Sequence, residues 1–280
     1  MNVQVNAVIW LTSPRANEVL DVEEMIDDAQ AACAAAKLNF QHYEVKSAAD
    51  LMDALDKIEA EAKNGYKPFL YLDMHGSATH GLQIVATNEF VTWPVLVEKL
   101  RGINVATRNN LVVLAATCFG FHATKSVSIT KESPFALLIA PLRTVTFAFL
   151  KSRVFDFFRE MLVKNDIIAA YKNQLYPQMH LYHCEGVFTE GVRRYIQQHC
   201  KGKPARARRE ELLSLVLRAG HPAKKDDLKR IRKQIKDGIK PTTQMLNQFS
   251  DRFLIGRPLG YSFDQLMAEI DQNSCAQRPK

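Results

Sequence analysis

Residues 69–74, FLYLDM, and residues 111–117, LVVLAAT, are two short apolar runs that decide the fold. Runs of this length and composition are typical of strands that are buried on both faces of a parallel sheet. The first run leads into His75 and Gly76, and the second leads into Cys118. Because the carboxyl ends of parallel strands meet at one edge of a sheet, we expect His75 and Cys118 to share a cleft there. The pattern therefore indicates a cysteine nucleophile with a histidine partner.

The rest of the first 200 residues alternates between predicted strands and predicted helices. Apolar residues at helical spacing predict helices over 18–37, 47–62, 92–100, 147–163, 166–174 and 189–199, and a small hairpin is predicted over 81–91. The predicted strands are Val5–Leu11, Phe40–Val45, Phe69–Met74, Leu111–Ala116, Phe135–Ala140 and His180–Phe188. This alternation favours an α/β fold in which helices cover both faces of a mostly parallel sheet.

The pattern changes after Cys200. Shorter helices are predicted over 209–219, 224–237, 249–255 and 263–270, and the first two are strongly charged. We therefore predict a domain at 1–200 and a small, basic, helical C-terminal extension at 201–280. Residues 201–240 contain 14 of the 37 Lys and Arg residues but only 5 of the 30 Asp and Glu residues. The formal net charge of +7 thus belongs to this segment and not to the predicted domain.

The cysteines and the N-terminal residues predict the compartment. Five cysteines are scattered along the chain without the spacing of a disulfide framework, which favours a reducing cytoplasm. The N-terminus lacks the basic start and apolar stretch of a secretory signal. No apolar run approaches the length that spans a bilayer, so we expect no membrane association.

Several short motifs, taken in order, resemble the caspase-like (clan CD) cysteine peptidases, and most closely the CHAT branch found in bacteria. The matching pieces are LDMHG at 72–76, GL at 81–82, TW at 92–93, LAATCFG at 114–120 and LIAPL at 138–142. Together they cover roughly residues 1–200. The sequence departs from the family at Thr117, where a smaller residue is common, and both kinds of residue fit a buried strand end.

The resemblance implies a cysteine endopeptidase that works as a dyad without a third acidic member and without a cofactor. It implies that Cys118 is the nucleophile and that His75 is both the base and the proton donor to the leaving amine. It also implies that the backbone N–H groups of Gly76 and Cys118 form the oxyanion hole. The substrate is then a protein or peptide.

The resemblance leaves two alternatives open for the residue before the cut. Arg15 and Arg143 follow the first and fifth predicted strands, and their planar guanidinium groups suit a carboxylate, which favours an acidic residue. Other members of the clan prefer a basic residue, and Asp73 or Glu89 would serve that preference.

Other functions remain open from the residues alone. An inactive relative would keep the fold and bind a peptide or protein in the same groove. A nucleic-acid-binding protein would act through residues 201–240, and we favour this less because no aromatic residue lies among the basic ones. A zinc site would use His75, His80, Cys118 and His122. Such spacings belong to structural zinc fingers with paired knuckles, whereas here they flank predicted buried strands, so we predict no metal.

A free peptidase endangers its host, so we expect regulation by a partner or signal, with residues 201–280 as the docking element. The resemblance also implies a role in bacterial defence or programmed death.

Overall fold

The computed structural model of the chain describes residues 3–220 and 224–276. Its strands are β1 (Ala7–Thr12), β2 (Asn39–Glu44), β3 (Pro68–Asp73), β4 (His75–Ser77), β5 (Gly81–Ile84), β6 (Glu89–Val91), β7 (Val112–Ala115), β8 (Leu137–Ala140) and β9 (His180–His183). Its helices are α1 (Val19–Ala35), α2 (Ala48–Lys63), α3 (Trp93–Ala106), α4 (Phe147–Lys164), α5 (Ile167–Ala170), α6 (Cys184–Tyr195), α7 (Gly202–Arg218), α8 (Lys225–Gly238), α9 (Thr243–Phe253) and α10 (Phe263–Ala276).

The predicted α/β fold class is confirmed. Six strands form one sheet in the order β2-β1-β3-β7-β8-β9, and only β9 runs antiparallel to its neighbour. Every residue of β1, β3, β7 and β8 is buried, as expected of strands covered by helices on both faces. Strands β4, β5 and β6 form a separate antiparallel sheet of three strands, one more than the predicted hairpin.

One face of the large sheet packs against α1 and α4 through an aromatic cluster. The Trp10 ring lies 3.9 Å from the Tyr71 ring and 5.8 Å from the Phe158 ring of α4. Phe158 also meets Phe69 edge-on at 5.1 Å. Aromatic side chains of this size dominate the energy of a core, so this cluster fixes α4 against β1 and β3.

Helix boundaries follow the local sequence where a side chain satisfies the first backbone N–H groups. The Ser47 hydroxyl accepts the Asp50 N–H at the start of α2, and the Thr146 hydroxyl accepts the Phe149 N–H at the start of α4. The prediction of one strand over His180–Phe188 is wrong beyond His183, because α6 begins at Cys184 and buries Phe188 from a helix.

The chain divides into two compact units. The first comprises residues 1–185 with 252–257, and the second comprises 186–251 with 258–280. Within the second unit, Arg193 of α6 forms a 2.7 Å ion pair with Glu269 of α10. The predicted domain limits, 1–200 and 201–280, stay a prediction, since compactness alone does not identify a domain. Across the described residues, no helix has the length and apolar character needed to cross a membrane.

Candidate active site

Three neighbouring strands of the first unit end at one edge of the large sheet. The register pairs Thr12 of β1 with Asp73 of β3 and Leu72 of β3 with Ala115 of β7, so their carboxyl ends are level. The Ala116 N–H continues the pairing by donating to the Leu72 carbonyl at 2.9 Å. The segments that follow these strands therefore meet at this edge, as parallel-sheet topology requires.

These segments enclose a cavity of about 370 Å³. Its polar lining includes Arg15 and Glu18 after β1, His75 and Gly76 after β3, and Cys118 after β7. Val22, Val145, Phe147 and Leu150 supply much of its apolar lining. The cavity thus brings the residues predicted as nucleophile, base and oxyanion hole to one place, although their roles stay a prediction.

The His75 side chain contacts Glu18, which lies in the segment that follows β1. Its Nε2 lies 3.0 Å from Glu18 Oε2, and the two side chains retain 26% and 16% of their accessible surface. The same Glu18 oxygen accepts the Arg15 backbone N–H at 2.9 Å. Within the described part of the chain, His75 Nδ1 has no hydrogen-bond partner. Nδ1 is therefore the ring nitrogen that is available for proton transfer.

Cys118 lies in a tight turn directly after β7. The Gly120 N–H donates to the Thr117 carbonyl, and Phe119 has a left-handed backbone with φ of 61°. A non-glycine residue in this conformation is strained, and such strain is concentrated at functional sites. The Phe119 N–H donates to the Arg143 carbonyl at 3.0 Å, which anchors the turn to the segment after β8.

The Cys118 thiol is half-buried and donates to the Val145 carbonyl with an Sγ–O distance of 3.7 Å. Among the described residues, no hydrogen bond joins the Cys118 thiol to His75. Catalytic hydrogen bonds are often long or misaligned without substrate. Among the described residues, no acceptor pairs with the Cys118 backbone N–H, which leaves this donor available.

Gly76 lies closer to the Cys118 turn than any other residue type would permit. A Cβ atom at Gly76 would lie 2.1 Å from the Cys118 carbonyl oxygen and 2.3 Å from Thr117 Oγ1. Contacts this short do not occur between unbonded atoms, so the close approach of β4 to the turn requires glycine here. Packing therefore explains why glycine follows His75, in addition to the oxyanion role that the resemblance implies.

Asp73 is the buried carboxyl group of the cavity. Burial raises its pKa from 3.8 to about 7, the Trp10 indole opposes the shift, and the Glu18 carboxylate adds to it. Its Oδ2 has no hydrogen-bond partner among the described residues. A cation beside Asp73 would favour the charged form of this carboxyl group and form an ion pair with it. The alternative of a basic substrate residue therefore stays open.

The remaining residues predicted for specificity lie outside the lining of this cavity. The Arg143 side chain is exposed, and its backbone carbonyl accepts the Phe119 N–H of the Cys118 turn. Glu89 accepts the Ala48 N–H at 2.9 Å and the Thr87 hydroxyl at 2.7 Å. These hydrogen bonds lower the pKa of the Glu89 carboxyl group and engage it at the start of α2.

The four residues of the alternative zinc site have separate partners. His80 Nδ1 is 3.0 Å from the Thr79 hydroxyl, and His122 Nδ1 is 3.1 Å from the Ala78 carbonyl. Within residues 3–220 and 224–276, no group of three or more His, Cys, Asp or Glu side chains is arranged to hold a metal ion.

Sequence reasoning missed Glu18. The resemblance implies a dyad and therefore predicts no third acidic residue, and Glu18 is 57 residues from His75 in the chain. One signal was present: Glu18 is the first carboxylate after β1, whose carboxyl end lies at the same edge as those of β3 and β7. Polar residues that follow any strand at that edge are candidates for the site.

The comparisons with known proteins add no family to this geometry. No protein-family model matches the sequence, and the search of curated proteins finds no match.

Proposed function

We propose that this protein is a cysteine endopeptidase in which Cys118 attacks the peptide carbonyl and His75 transfers the proton. The observation that carries the proposal is the single cavity lined by His75, Gly76 and Cys118, with His75 held by Glu18 at 3.0 Å. A thiol and an imidazole at the ends of two neighbouring strands are the groups that this reaction requires.

In the proposed reaction, the Cys118 thiol gives its proton to His75, and the thiolate attacks the carbonyl carbon of the substrate. The oxyanion that forms accepts hydrogen bonds from backbone N–H groups, and the unpaired N–H of Cys118 supports this part of the proposal. His75 then protonates the amine as the C–N bond breaks. Water hydrolyses the remaining thioester with His75 as the base, which restores the thiol.

The cavity supports two substrate preferences that one measurement separates. Arg15 favours an acidic residue before the cut, whereas Asp73 at the end of β3 favours a basic one. We would identify the cleaved bonds in a peptide library by mass spectrometry. An acidic preference assigns recognition to Arg15, and a basic preference assigns it to Asp73.

The experiment that tests the proposal combines alkylation with peptide cleavage. We expect iodoacetamide to label Cys118 at neutral pH faster than the other cysteines, and His75→Ala to remove the difference. Burial raises the pKa of both Cys33 and Cys184 to about 11, which keeps these two as unreactive thiols. Peptide mapping separates Cys118 from the rest.

Cleavage of library peptides by the wild type but not by Cys118→Ala would complete the assignment. Cleavage that persists in Cys118→Ala would contradict it.

A second candidate function is a binding module that uses the same cavity without catalysis. The contact that favours it is the hydrogen bond from the Cys118 thiol to the Val145 carbonyl, which engages the thiol proton with an acceptor other than His75. In this case Cys118 would react no faster than an ordinary thiol, and peptides would be retained by the protein without being cleaved.

We further propose that the protein acts in the cytoplasm and that a protein partner regulates it through residues 201–280. The scattered spacing of the five cysteines supports the compartment, and the resemblance to caspase-like peptidases supports a role in bacterial defence. Affinity capture on the full chain, compared with a chain in which the exposed basic residues of α8 are neutralised, tests the partner.

A further inference from the structure

We propose that Glu18 is a positioning residue that fixes the tautomer and the orientation of His75, so that Nδ1 is presented to Cys118. This inference rests on the proposed function and adds a third member to what the resemblance implies is a dyad. Glu18 acts through His75 and does not touch the reacting atoms.

The contacts of Glu18 explain why its carboxylate is held in one place. Oε2 receives the Arg15 backbone N–H at 2.9 Å and lies 3.0 Å from His75 Nε2. The Glu18 N–H also donates to the Arg15 carbonyl at 2.9 Å, which closes a tight turn over residues 15–18. A carboxylate that is fixed by its own loop is a rigid acceptor, so its position determines the orientation of the His75 ring.

The position of Glu18 in its helix is a second, independent observation. Glu18 is the N-cap residue of α1, a position that favours Ser, Thr, Asp or Asn because their short side chains accept a hydrogen bond from the first turn. Its side chain makes no such bond and turns toward His75 instead. Departures from a local structural preference of this kind are expected at functional sites.

The chemical consequence concerns which ring nitrogen carries the proton. A carboxylate accepts hydrogen bonds and does not donate them, so His75 Nε2 must carry a proton. The neutral ring then has a basic Nδ1, which is the nitrogen that can take the thiol proton. Once Nδ1 is protonated, the negative charge of Glu18 stabilises the imidazolium ion. Among the described residues that line the cavity, Arg15, Asp73 and Cys118 are the other charged or titratable groups beside this pair.

The first test is direct observation of the tautomer by long-range ¹H–¹⁵N correlation spectra of His75. The spectra are recorded for Cys118→Ala at about pH 9, well above the range in which histidine ordinarily titrates. We expect the Nε2–H tautomer, and a mixture of tautomers when Glu18→Gln is added. His75→Gln identifies the signal. An Nδ1–H tautomer, or a tautomer that Glu18→Gln does not change, would overturn the proposal.

The second test compares Glu18→Gln with Glu23→Gln, which removes the same charge from an exposed position on the same helix. We expect Glu18→Gln to slow Cys118-dependent cleavage at least about a hundredfold, mainly in kcat, and Glu23→Gln to leave it unchanged. Equal rates in the two variants would contradict the proposal. Thermal unfolding of both variants shows whether each is folded.

The two proposals fail in distinguishable ways. If the peptidase proposal is wrong, no cleavage occurs, yet the tautomer of His75 still responds to Glu18→Gln. If the positioning proposal is wrong, the tautomer does not respond, whether or not the wild type cleaves peptides.

Discussion

At the scale of single residues, the contact between Gly76 and the Cys118 turn is the tightest in the site. It leaves no space for a side chain at position 76, because the nearest atoms belong to the backbone of Cys118 and to Thr117. A small change at Gly76 therefore has to move the turn that carries the thiol.

We expect Gly76→Ala to lower the free energy of unfolding by about 1–3 kcal/mol and to slow Cys118 alkylation, because the new methyl group displaces the turn. Denaturant unfolding and alkylation rates measure the two effects. Gly238→Ala is the control, since among the described residues nothing beyond its chain neighbours and the backbone of its own helix lies within 4 Å of a Cβ there. Equal effects of the two substitutions would contradict the role of the close contact.

Asp73 predicts a dependence of stability on pH. Its pKa is about 7 in the folded protein and near 3.8 in the unfolded chain. Between these values the unfolded chain loses the Asp73 proton while the folded protein keeps it, so stability falls as pH rises from about 4 to about 7. Above that range the contribution is constant.

We therefore expect Asp73→Asn to flatten this part of the stability profile and to make the protein more stable than the wild type at about pH 8, by a few kcal/mol at most. Denaturant unfolding across the pH range measures it. Asp53→Asn, at an exposed position, is the control and should keep the wild-type profile. A profile of Asp73→Asn that matches the wild type would count against a neutral buried carboxyl group.

At the scale of elements, the buried side-chain amide of Asn104, near the end of α3, holds the segment that leads into β7. Its Nδ2 donates to the Ser133 carbonyl at 2.8 Å, and its Oδ1 accepts the Leu111 N–H at 3.1 Å. One side chain thus joins α3 to the two segments that lead into β7 and β8. Because β7 carries Cys118 at its other end, this link is structural support for the site.

We expect Asn104→Ala to destabilise the protein by about 2–4 kcal/mol, because a buried N–H and a buried carbonyl lose their partner. Asn64→Ala, at the exposed end of α2, should cost less than about 1 kcal/mol. Denaturant unfolding of both variants tests this. A cost at Asn104 no larger than that at Asn64 would be inconsistent with the proposed link.

The strands and helices also show where the sequence pattern was sufficient to predict an element. β3 and β7 were predictable because a short, unbroken apolar run that ends in a polar residue fits a strand buried on both faces. The change from β9 to α6 was not predictable, because the apolar residues of HLYHCEGVF at 180–188 are compatible with the spacing of a strand and with that of a helix. The sheet pairing with β8 decides it, and this contact is 40 or more residues away. Glu18 was not predicted for the same reason, since its partner, His75, is distant in the sequence.

At the scale of the whole molecule, the positive charge is concentrated in residues 201–240, which belong to the second compact unit, whereas the residues of the candidate site belong to the first. Lys229, Lys233 and Lys236 are exposed on one face of α8, and all three are in the second compact unit. This spacing places their ammonium groups along a line, which suits a repeating anionic ligand.

We expect neutralisation of these three lysines to glutamine to advance elution from a heparin column by a clear salt interval and to leave Cys118 alkylation unchanged. The control neutralises Lys57, Lys125 and Lys172, which are exposed and scattered in the first unit. If both triple variants shift equally, net charge alone determines retention and the face of α8 has no special affinity.

The strained backbone at Phe119 has a consequence for laboratory evolution. Asn or Gly adopts a φ of 61° at lower cost than Phe, so either substitution relieves strain in the turn. Selection for heat tolerance alone would therefore favour replacing Phe119. The same replacement would relax the turn that carries Cys118 and remove the Phe119 ring, whose centroid lies 5.7 Å from that of His122. We therefore expect gains in heat tolerance and slower Cys118 alkylation to appear together in the selected clones.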